Sequence, residues 1–311
     1  SYSPYMPTLA IATAVTATGH DADLPPLVAA CQAAGLDTRV LAWDDPTIDW
    51  RGFDGVLLRS TWDYISRLSE FLVWCAQVQQ HSLLLNPQAV VRWNSDKHYL
   101  ADLAAMGVPV ISSRFVEADE PALPALQAWL ADQPACEFVV KPCIGAGSQG
   151  VIRYSPGQLF AASKHLAGLL DQQRAALLQP YLASVDLQGE TALVFLAGEF
   201  SHAVRKAARL DETDTPLPER ISACVARPAQ LSLAEHALEA ASRLLQLDQP
   251  LTYARGDVLD DADGTPRLLE LELIEPSLFL DHSIDAAGVL ARQLAARLAA
   301  GAAIRTRTAS A

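Results

Sequence analysis

Basic residues are scarce in this 311-residue sequence, which carries 23 Lys and Arg against 36 Asp and Glu and a formal net charge of −13. Binding to nucleic acid or to an anionic membrane surface depends on basic side chains that neutralise phosphates. Long apolar runs are also missing, since no stretch is long enough to span a bilayer. We therefore expect a small-molecule partner and neither a nucleic-acid nor a membrane partner.

Cysteine is sparse and shows no pattern. The five cysteines are odd in number, widely scattered and never spaced as CxxC, so neither a disulfide framework nor a zinc site is indicated. The apolar stretch from Pro7 to Ala17 has no Lys or Arg before it, unlike a secretory signal peptide. These features predict a cytoplasmic protein.

Apolar residues, by contrast, make up 50% of the chain, enough for a sizeable core. Residues 1–92 alternate short apolar strands with helices, which predicts an α/β domain with a small parallel sheet covered on both faces. Residues 93–182 begin with a helix from Ser95 to Met106 and continue as a small α+β lobe with a glycine-rich loop. Residues 183–311 combine antiparallel hairpins with two helices, which predicts a C-terminal α+β lobe.

The glycine-rich loop satisfies the pattern GxGxxG over residues 145–150, so a dinucleotide-binding fingerprint is one interpretation. That fingerprint opens a helix, whereas here the β-branched and aromatic segment Val151–Tyr154 follows. The loop is therefore expected to join two strands and to cover phosphates, as the glycine-rich lid of a protein kinase does. Lys141, on the entering strand, is placed to meet phosphate oxygens. A plain glycine-rich hairpin is the alternative.

A second motif places two carboxylates on one face of a strand. In the segment 268–273, the strand period of two puts Glu270 and Glu272 on one side and Leu269, Leu271 and Leu273 on the other. Asp257 on the partner strand could complete the set. Hard oxygen ligands without His or Cys point to Mg²⁺ held together with phosphates, and the alternative is a solvated polar face.

In this order, the α/β domain, the Lys and glycine loop, and the carboxylate hairpin resemble the ATP-grasp superfamily over nearly the whole chain. The resemblance implies an ATP-grasp fold, with an N-terminal α/β domain, a small lid lobe that carries the glycine-rich loop, and a C-terminal α+β catalytic lobe. ATP and Mg²⁺ are the implied cofactors. The implied nucleotide-binding residues are Lys97, Lys141, Gly145, Gly147, Ser148, Gln149, Gly150, the hinge residues Gln179, Tyr181 and Leu182, and Glu190 at the ribose.

The same resemblance assigns the remaining charged residues. Asp186 is close enough to Glu190 to compete for the ribose hydroxyls. Arg205 matches the arginine that faces the γ-phosphate and the acyl-phosphate intermediate, and Lys206 is the second implied catalytic cation. The implied metal ligands are Asp257, Glu270 and Glu272, the last of which stands where many relatives carry Asn.

Within the superfamily, residues 58–64, 91–98, 141–148 and 274–279 look most like the O-ureido-D-serine cyclo-ligase, or D-cycloserine synthetase, group. The implied reaction is phosphorylation of a carboxylate by ATP followed by attack of a nitrogen of the same molecule. An intermolecular carboxylate–amine ligase is the alternative, and further alternatives are a Rossmann oxidoreductase and a non-catalytic ATP-binding module. A homodimer is a family-level expectation.

The loop after the strand Gly55–Arg59 supplies candidate substrate residues. A loop that follows a parallel strand lies at the carboxyl edge of the sheet, where ligands bind. Arg and Asp together suit a zwitterionic amino acid, although packing of a strand end into the first domain would also explain these residues. The candidate substrate ligands are Arg59, Thr61, Trp62 and Asp63 from this loop, and Glu275 and Ser277 from the segment after the carboxylate hairpin.

Overall fold

The computed structural model describes residues 5–133, 136–207 and 220–309, and their strands form three sheets. The first sheet is parallel, in the order β2-β1-β3-β4. Strands β1, β3 and β4 are largely apolar, because helices cover the sheet on both faces, whereas the edge strand β2 is half polar and has no buried residue. The elements are β1 (Thr8–Thr13), α1 (Leu24–Ala33), β2 (Asp37–Ala42), β3 (Gly55–Leu58), α2 (Leu68–Gln79) and β4 (Leu83–Leu85), with a 3₁₀ helix at Trp62–Arg67.

A four-stranded antiparallel sheet in the order β5-β8-β6-β7 forms the lid lobe. Two helices pack on one face of it and bury Leu126, Phe138 and Leu166 in a common apolar cluster. The elements of this region are α3 (Gln88–Asn94), α4 (Tyr99–Ala105), β5 (Arg114–Val116), α5 (Ala122–Ala131), β6 (Phe138–Pro142), β7 (Ile152–Tyr154), α6 (Leu159–Asp171) and β8 (Ala176–Pro180).

The C-terminal region contains a five-stranded antiparallel sheet in the order β11-β10-β9-β12-β13. One helix of this region packs on the sheet and buries Ala234, Ala237 and Ala241 against it. The elements are α7 (Ser184–Gln188), β9 (Glu190–Leu196), β10 (Glu199–Lys206), β11 (Ile221–Cys224), α8 (Pro228–Leu244), β12 (Tyr253–Asp260), β13 (Pro266–Glu272) and α9 (Ala286–Ala309).

Helix α9 differs from the predicted domain division, because it returns to the first sheet. Leu290 and Leu294 of α9 share an apolar cluster with Leu9 and Ile11 of β1 and Leu27 of α1. The predicted third domain, residues 183–311, is therefore not self-contained, and its last helix completes the core of the first. Within the described ranges, no helix combines the length and apolarity that crossing a membrane requires.

The predicted helix from Ser95 to Met106 is shorter in the structure, because α3 ends at Asn94 and α4 begins only at Tyr99. The Ser95 hydroxyl donates to the carbonyl of Arg92, so it closes α3 and does not cap α4. The Asp96 carboxylate accepts from the backbone N–H of His98, a local side-chain bond that competes with helix hydrogen bonds. The backbone N–H of Lys97 donates to the carbonyl of Cys143. Lys97 therefore lies in a turn that is tied to the end of β6.

Candidate active site

One cavity of about 460 Å³ lies between the lid sheet and the C-terminal sheet. Its wall takes residues from strands of both sheets, from the turn that holds Lys97 and from the 3₁₀ helix that begins at Trp62. The predicted site residues on this wall are Trp62, Lys97, Lys141, Gly145, Gly147, Ser148, Gln149, Gln179, Tyr181, Leu182, Glu190, Lys206, Asp257, Glu270, Glu272, Glu275 and Ser277. The sequence patterns thus converge on one place.

The glycine loop joins β6 to β7, which pair antiparallel. The predicted strand–loop–strand arrangement is therefore present, and the interpretation of this loop as a dinucleotide-binding fingerprint is wrong. Gly147 and Gly150 have φ angles of +61° and +71°, a conformation that glycine adopts without steric cost. The tip of the loop is exposed, and the N–H of Gln149 donates within the loop to the carbonyl of Ala146. Gly150 shapes the turn but does not reach the cavity wall.

Two lysines converge at the base of this loop. Lys141 is buried on β6 and its Nζ lies 3.4 Å from Oε1 of Glu270, while Nζ of Lys97 lies 3.6 Å from the same oxygen. Lys97 also donates to the carbonyl of Gly145. Burial lowers the pKa of Lys141, and Glu270 opposes that shift. Two cations that share one carboxylate leave a net positive charge beside the loop, which suits phosphate oxygens.

The predicted carboxylate set is assembled. Carboxylate oxygens of Asp257, Glu270 and Glu272 all lie within 4.8 Å of one another. Burial raises the pKa of Glu272 to about 8, with Arg255 opposing the shift and the charges of Asp257 and Glu270 adding to it. The three carboxylates lie so close together that the charges of two of them oppose ionisation of the third. Oxygen ligands of this kind and charge are what a hard divalent cation requires.

Buried cations surround this set. Nζ of Lys206 lies 2.7 Å from Asp257 and 2.8 Å from Glu190. Arg255 places Nε 2.9 Å from Asp257 and one guanidinium nitrogen 2.9 Å from Glu272. Burial raises the pKa of Glu270, but Lys97 and Lys141 reverse that shift, so its pKa lies well below the usual range. Fixed cations and carboxylates are therefore neighbours along this part of the cavity wall.

The far end of the cavity is apolar. Ile111, Val185 and Leu259 form a small buried cluster against Tyr181 and Leu182, and all five side chains line the cavity. The Gln179 side chain is buried beside them and donates to the Ser113 hydroxyl. A flat aromatic base fits such a lining, with the hinge backbone at its edge.

Of the two competing ribose acids, only Glu190 reaches the cavity. Asp186 accepts from the Tyr181 hydroxyl at 2.6 Å and pairs with Arg153 at 3.1 Å, and it is absent from the wall. Asp186 therefore braces the hinge from outside. This placement corrects the assignment of Asp186 as a nucleotide ligand.

The prediction for Arg205 is also corrected. On β10 successive side chains point to opposite faces, so the buried Lys206 faces the cavity and the exposed Arg205 faces away from it. The arginine beside the carboxylates is Arg255, which the sequence patterns did not single out. A signal was present, because Arg255 and Asp257 are two residues apart on one strand and therefore share a face.

Substitution tests whether Arg205 takes part in the reaction. We expect the Arg205→Ala variant to keep turnover within about twofold of wild type, because an exposed side chain away from special features contributes little. Steady-state ADP release measures the effect. A loss of more than tenfold, in a variant whose unfolding temperature is unchanged, would return Arg205 to the reaction.

Only one of the four candidate substrate ligands in the loop after β3 lines the cavity. Trp62 lines the cavity, whereas Arg59, Thr61 and Asp63 do not. The Asp63 carboxylate accepts from Nε1 of Trp43, Thr61 is fully buried, and Arg59 donates to the carbonyl of Pro276. These three side chains pack the edge of the first sheet, which is the strand-end alternative.

Comparisons with known proteins identify relatives with this architecture. A family model described as "D-cycloserine synthetase DcsG, N-terminal domain" matches residues 9–86. The "Cycloserine biosynthesis protein DcsG" of Streptomyces lavendulae is 44% identical over 294 residues, which cover 93% of this chain and 98% of that protein.

Solved structures extend the comparison. The crystal structure of D-cycloserine synthetase DcsG matches with a TM-score of 0.90 and 43% identity, covering 94% of this chain and 99% of that chain. D-alanine–D-alanine ligase from Bacillus anthracis matches with a TM-score of 0.67 at 15% identity, covering 99% of this chain and 100% of that one. The latter likeness concerns the fold alone, and the predicted ATP-grasp fold is confirmed.

Proposed function

Because this chain belongs to the D-cycloserine synthetase family of ATP-grasp ligases, we propose that it closes O-ureido-D-serine to D-cycloserine at the expense of ATP. The observation that carries the proposal is the position of the buried Arg255 guanidinium. It lies beside the three carboxylates, in the same cavity as Lys97 and Lys141 at the base of the glycine loop. That combination suits transfer of a γ-phosphoryl group to a carboxylate. The 44% identical relative, a cycloserine biosynthesis protein, supports D-cycloserine as the product.

ATP-grasp ligases use ATP together with a divalent metal, and we take the metal to be Mg²⁺. The apolar cluster at the hinge would hold the adenine, and Glu190 would accept from the ribose hydroxyls. Lys97 and Lys141 would contact the phosphate oxygens under the glycine loop. Asp257, Glu270 and Glu272 would hold Mg²⁺, which would neutralise phosphate charge.

Phosphoryl transfer then activates the substrate carboxylate. Its oxygen attacks the γ-phosphorus, ADP leaves, and an acyl phosphate forms. Arg255 is already fixed by Asp257, by Glu272 and by the carbonyl of Ser277, so no reorganisation is needed when charge develops on the acyl oxygen. Lys206, held between Glu190 and Asp257, adds a second fixed positive charge.

Ring closure follows by attack of the nitrogen that is bonded to the side-chain oxygen. This N–C bond forms, the acyl C–O bond breaks, and phosphate leaves. D-Cycloserine lacks the carbamoyl group of O-ureido-D-serine, so water must cleave that group from the same nitrogen as carbamic acid, which decomposes to CO₂ and ammonia. An intramolecular nucleophile in a near-attack pose reaches effective molarities of roughly 10⁵ M or more, so a second amine site is unnecessary.

The role of Lys141 can be tested separately. We expect Lys141→Ala to weaken ATP binding by about 10- to 150-fold, since a hydrogen bond to a charged group contributes roughly 1.5–3 kcal/mol. Titration calorimetry with a non-hydrolysable ATP analogue measures the affinity. Lys164→Ala, on the exposed outer side of α6, is the matched control and should bind normally. Unchanged affinity in Lys141→Ala would remove Lys141 from the phosphate site.

Product analysis tests the proposed function. O-Ureido-D-serine, enzyme and Mg-ATP should give D-cycloserine, ADP, phosphate and ammonia in equal amounts, measured by mass spectrometry and an ammonia assay. AMP and pyrophosphate as products would refute phosphoryl transfer. ADP release that depends on an added amine, with no ring formed, would support the intermolecular ligase instead.

A further inference from the structure

The cavity wall contains one carboxylate that the proposed mechanism does not use. Glu275 follows the carboxylate hairpin, lines the cavity and is only 9% exposed. The other wall carboxylates, Glu190, Asp257, Glu270 and Glu272, each have a Lys or Arg nitrogen within 4.0 Å. Among the described residues, no Lys, Arg or His nitrogen lies that close to Glu275.

The surroundings of Glu275 offer polar but incomplete compensation. The Tyr64 hydroxyl lies beside the Glu275 carboxylate, and the guanidinium groups of Arg59 and Arg255 act on it without forming a close ion pair. Burial nevertheless raises the pKa of Glu275. A buried carboxylate without a close cation is costly, and a ligand that brings a cation to this place would remove that cost.

The position of Glu275 relative to Arg255 suits an α-amino acid. A guanidinium nitrogen of Arg255 donates to the carbonyl of Ser277 at 2.9 Å, two residues from Glu275. In an α-amino acid, the ammonium is bonded to the carbon that bears the carboxylate. Arg255 and Glu275 line the same cavity, and the charge of Arg255 acts on the Glu275 carboxylate, so the two side chains offer one α-amino acid a cation for its carboxylate and an anion for its ammonium.

The segment from Glu275 to Leu280 is held from both sides. Nε1 of Trp62 donates to the Glu275 carbonyl at 3.3 Å, and Arg59 donates to the Pro276 carbonyl. The Asp23 carboxylate accepts from the backbone N–H groups of Leu278 and Leu280 at 2.6 and 2.8 Å. Such anchoring keeps the Glu275 carboxylate in place before a ligand arrives.

We propose that Glu275 is the counter-ion of the substrate α-ammonium group, so that the site selects amino acids that carry a free ammonium beside the activated carboxylate. This assignment rests on the proposed function, because it takes Arg255 as the carboxylate-activating cation. Trp62, on the same wall, then faces the side chain of the substrate.

The test compares two substrates in the wild-type enzyme and in its Glu275 variants. O-Ureido-D-serine is paired with 3-(ureidooxy)propanoic acid, which is identical except that hydrogen replaces the ammonium. We expect Glu275→Gln to raise the KM for O-ureido-D-serine by roughly 30-fold or more, as for loss of one partner of a buried charge pair. The KM for ATP should stay unchanged, and Glu275→Asp, which keeps the charge, should restore part of the loss.

The deaminated acid separates recognition from structure. Wild type and Glu275→Gln should use it with the same kcat/KM, within about twofold, because the group that Glu275 contacts is gone. An equal loss for both substrates would show that Glu275 only supports the fold and would overturn the assignment. Glu235→Gln, exposed on α8, is the control and should match wild type with both.

Failure of the proposed function is recognised separately. If wild type forms no ring from O-ureido-D-serine, the cyclisation is refuted, and the same comparison is made with whichever amino acid stimulates ADP release and its deaminated analogue. If wild type prefers the amino acid over its deaminated analogue and Glu275→Gln does not, the assignment of Glu275 to the ammonium is confirmed. If no α-amino acid stimulates ADP release, the Glu275 assignment is refuted as well.

Discussion

Replacing Arg255 by lysine should lower kcat by about 10²- to 10³-fold, the usual effect of removing one fixed donor from developing charge. A lysine ammonium cannot reproduce the planar fork that holds Asp257, Glu272 and the Ser277 carbonyl together. The loss should fall mainly on kcat, because Arg255 stabilises charge that appears during the reaction. Steady-state ADP release with saturating ATP measures it.

The matched control for this variant is Arg205→Lys, the same exchange on the exposed face of β10. It should leave kcat unchanged. Thermal unfolding of both variants separates loss of turnover from loss of folding. If Arg205→Lys is impaired and Arg255→Lys is active, the placement of the catalytic cation on β12 is wrong.

The second large effect is expected at Glu270. Its carboxylate is shared by Lys97 and Lys141 and belongs to the triad that could hold Mg²⁺. Glu270→Gln removes one negative charge without changing the shape of the side chain. We expect turnover to fall by about 100-fold or more, and the Mg²⁺ concentration for half-maximal activity to rise, because a carboxylate is a stronger ligand than an amide.

Activity measured over a Mg²⁺ titration tests this prediction, with Glu235→Gln on α8 as the isosteric control. Thermal unfolding checks that the fold survives in Glu270→Gln, in which Glu190 still acts on the buried Lys141. Normal turnover at an unchanged Mg²⁺ requirement would remove Glu270 from the metal set.

Much of the site could be predicted from the sequence because its chemistry follows local rules. The period of two places Glu270 and Glu272 on one face of β13 whatever surrounds them. β-Branched and aromatic residues after the glycine loop distinguish a hairpin from a helix, and the structure has β7 there. Glu190 begins β9 as predicted.

The predictions that failed depend on long-range contacts. Arg205 and Lys206 are neighbours in sequence, and only the packing of β10 in its sheet decides which of them faces the cavity. Helix α4 begins at Tyr99 and not at Ser95, because the backbone N–H of Lys97 donates to the carbonyl of Cys143, directly after β6 of the lid sheet. Arg59 supports the Pro276 carbonyl and Asp63 holds Trp43, contacts that cross more of the chain than a local pattern covers.

In the proposed reaction, ATP activates the substrate carboxylate as an acyl phosphate before the ring closes. O-Ureido-D-serine with ¹⁸O in both carboxylate oxygens tests this order directly when the label is followed by mass spectrometry. One oxygen bridges to phosphorus in the acyl phosphate and leaves with it, so we expect one ¹⁸O in the inorganic phosphate and one in D-cycloserine per ADP formed. Unlabelled phosphate alongside ring formation would contradict it.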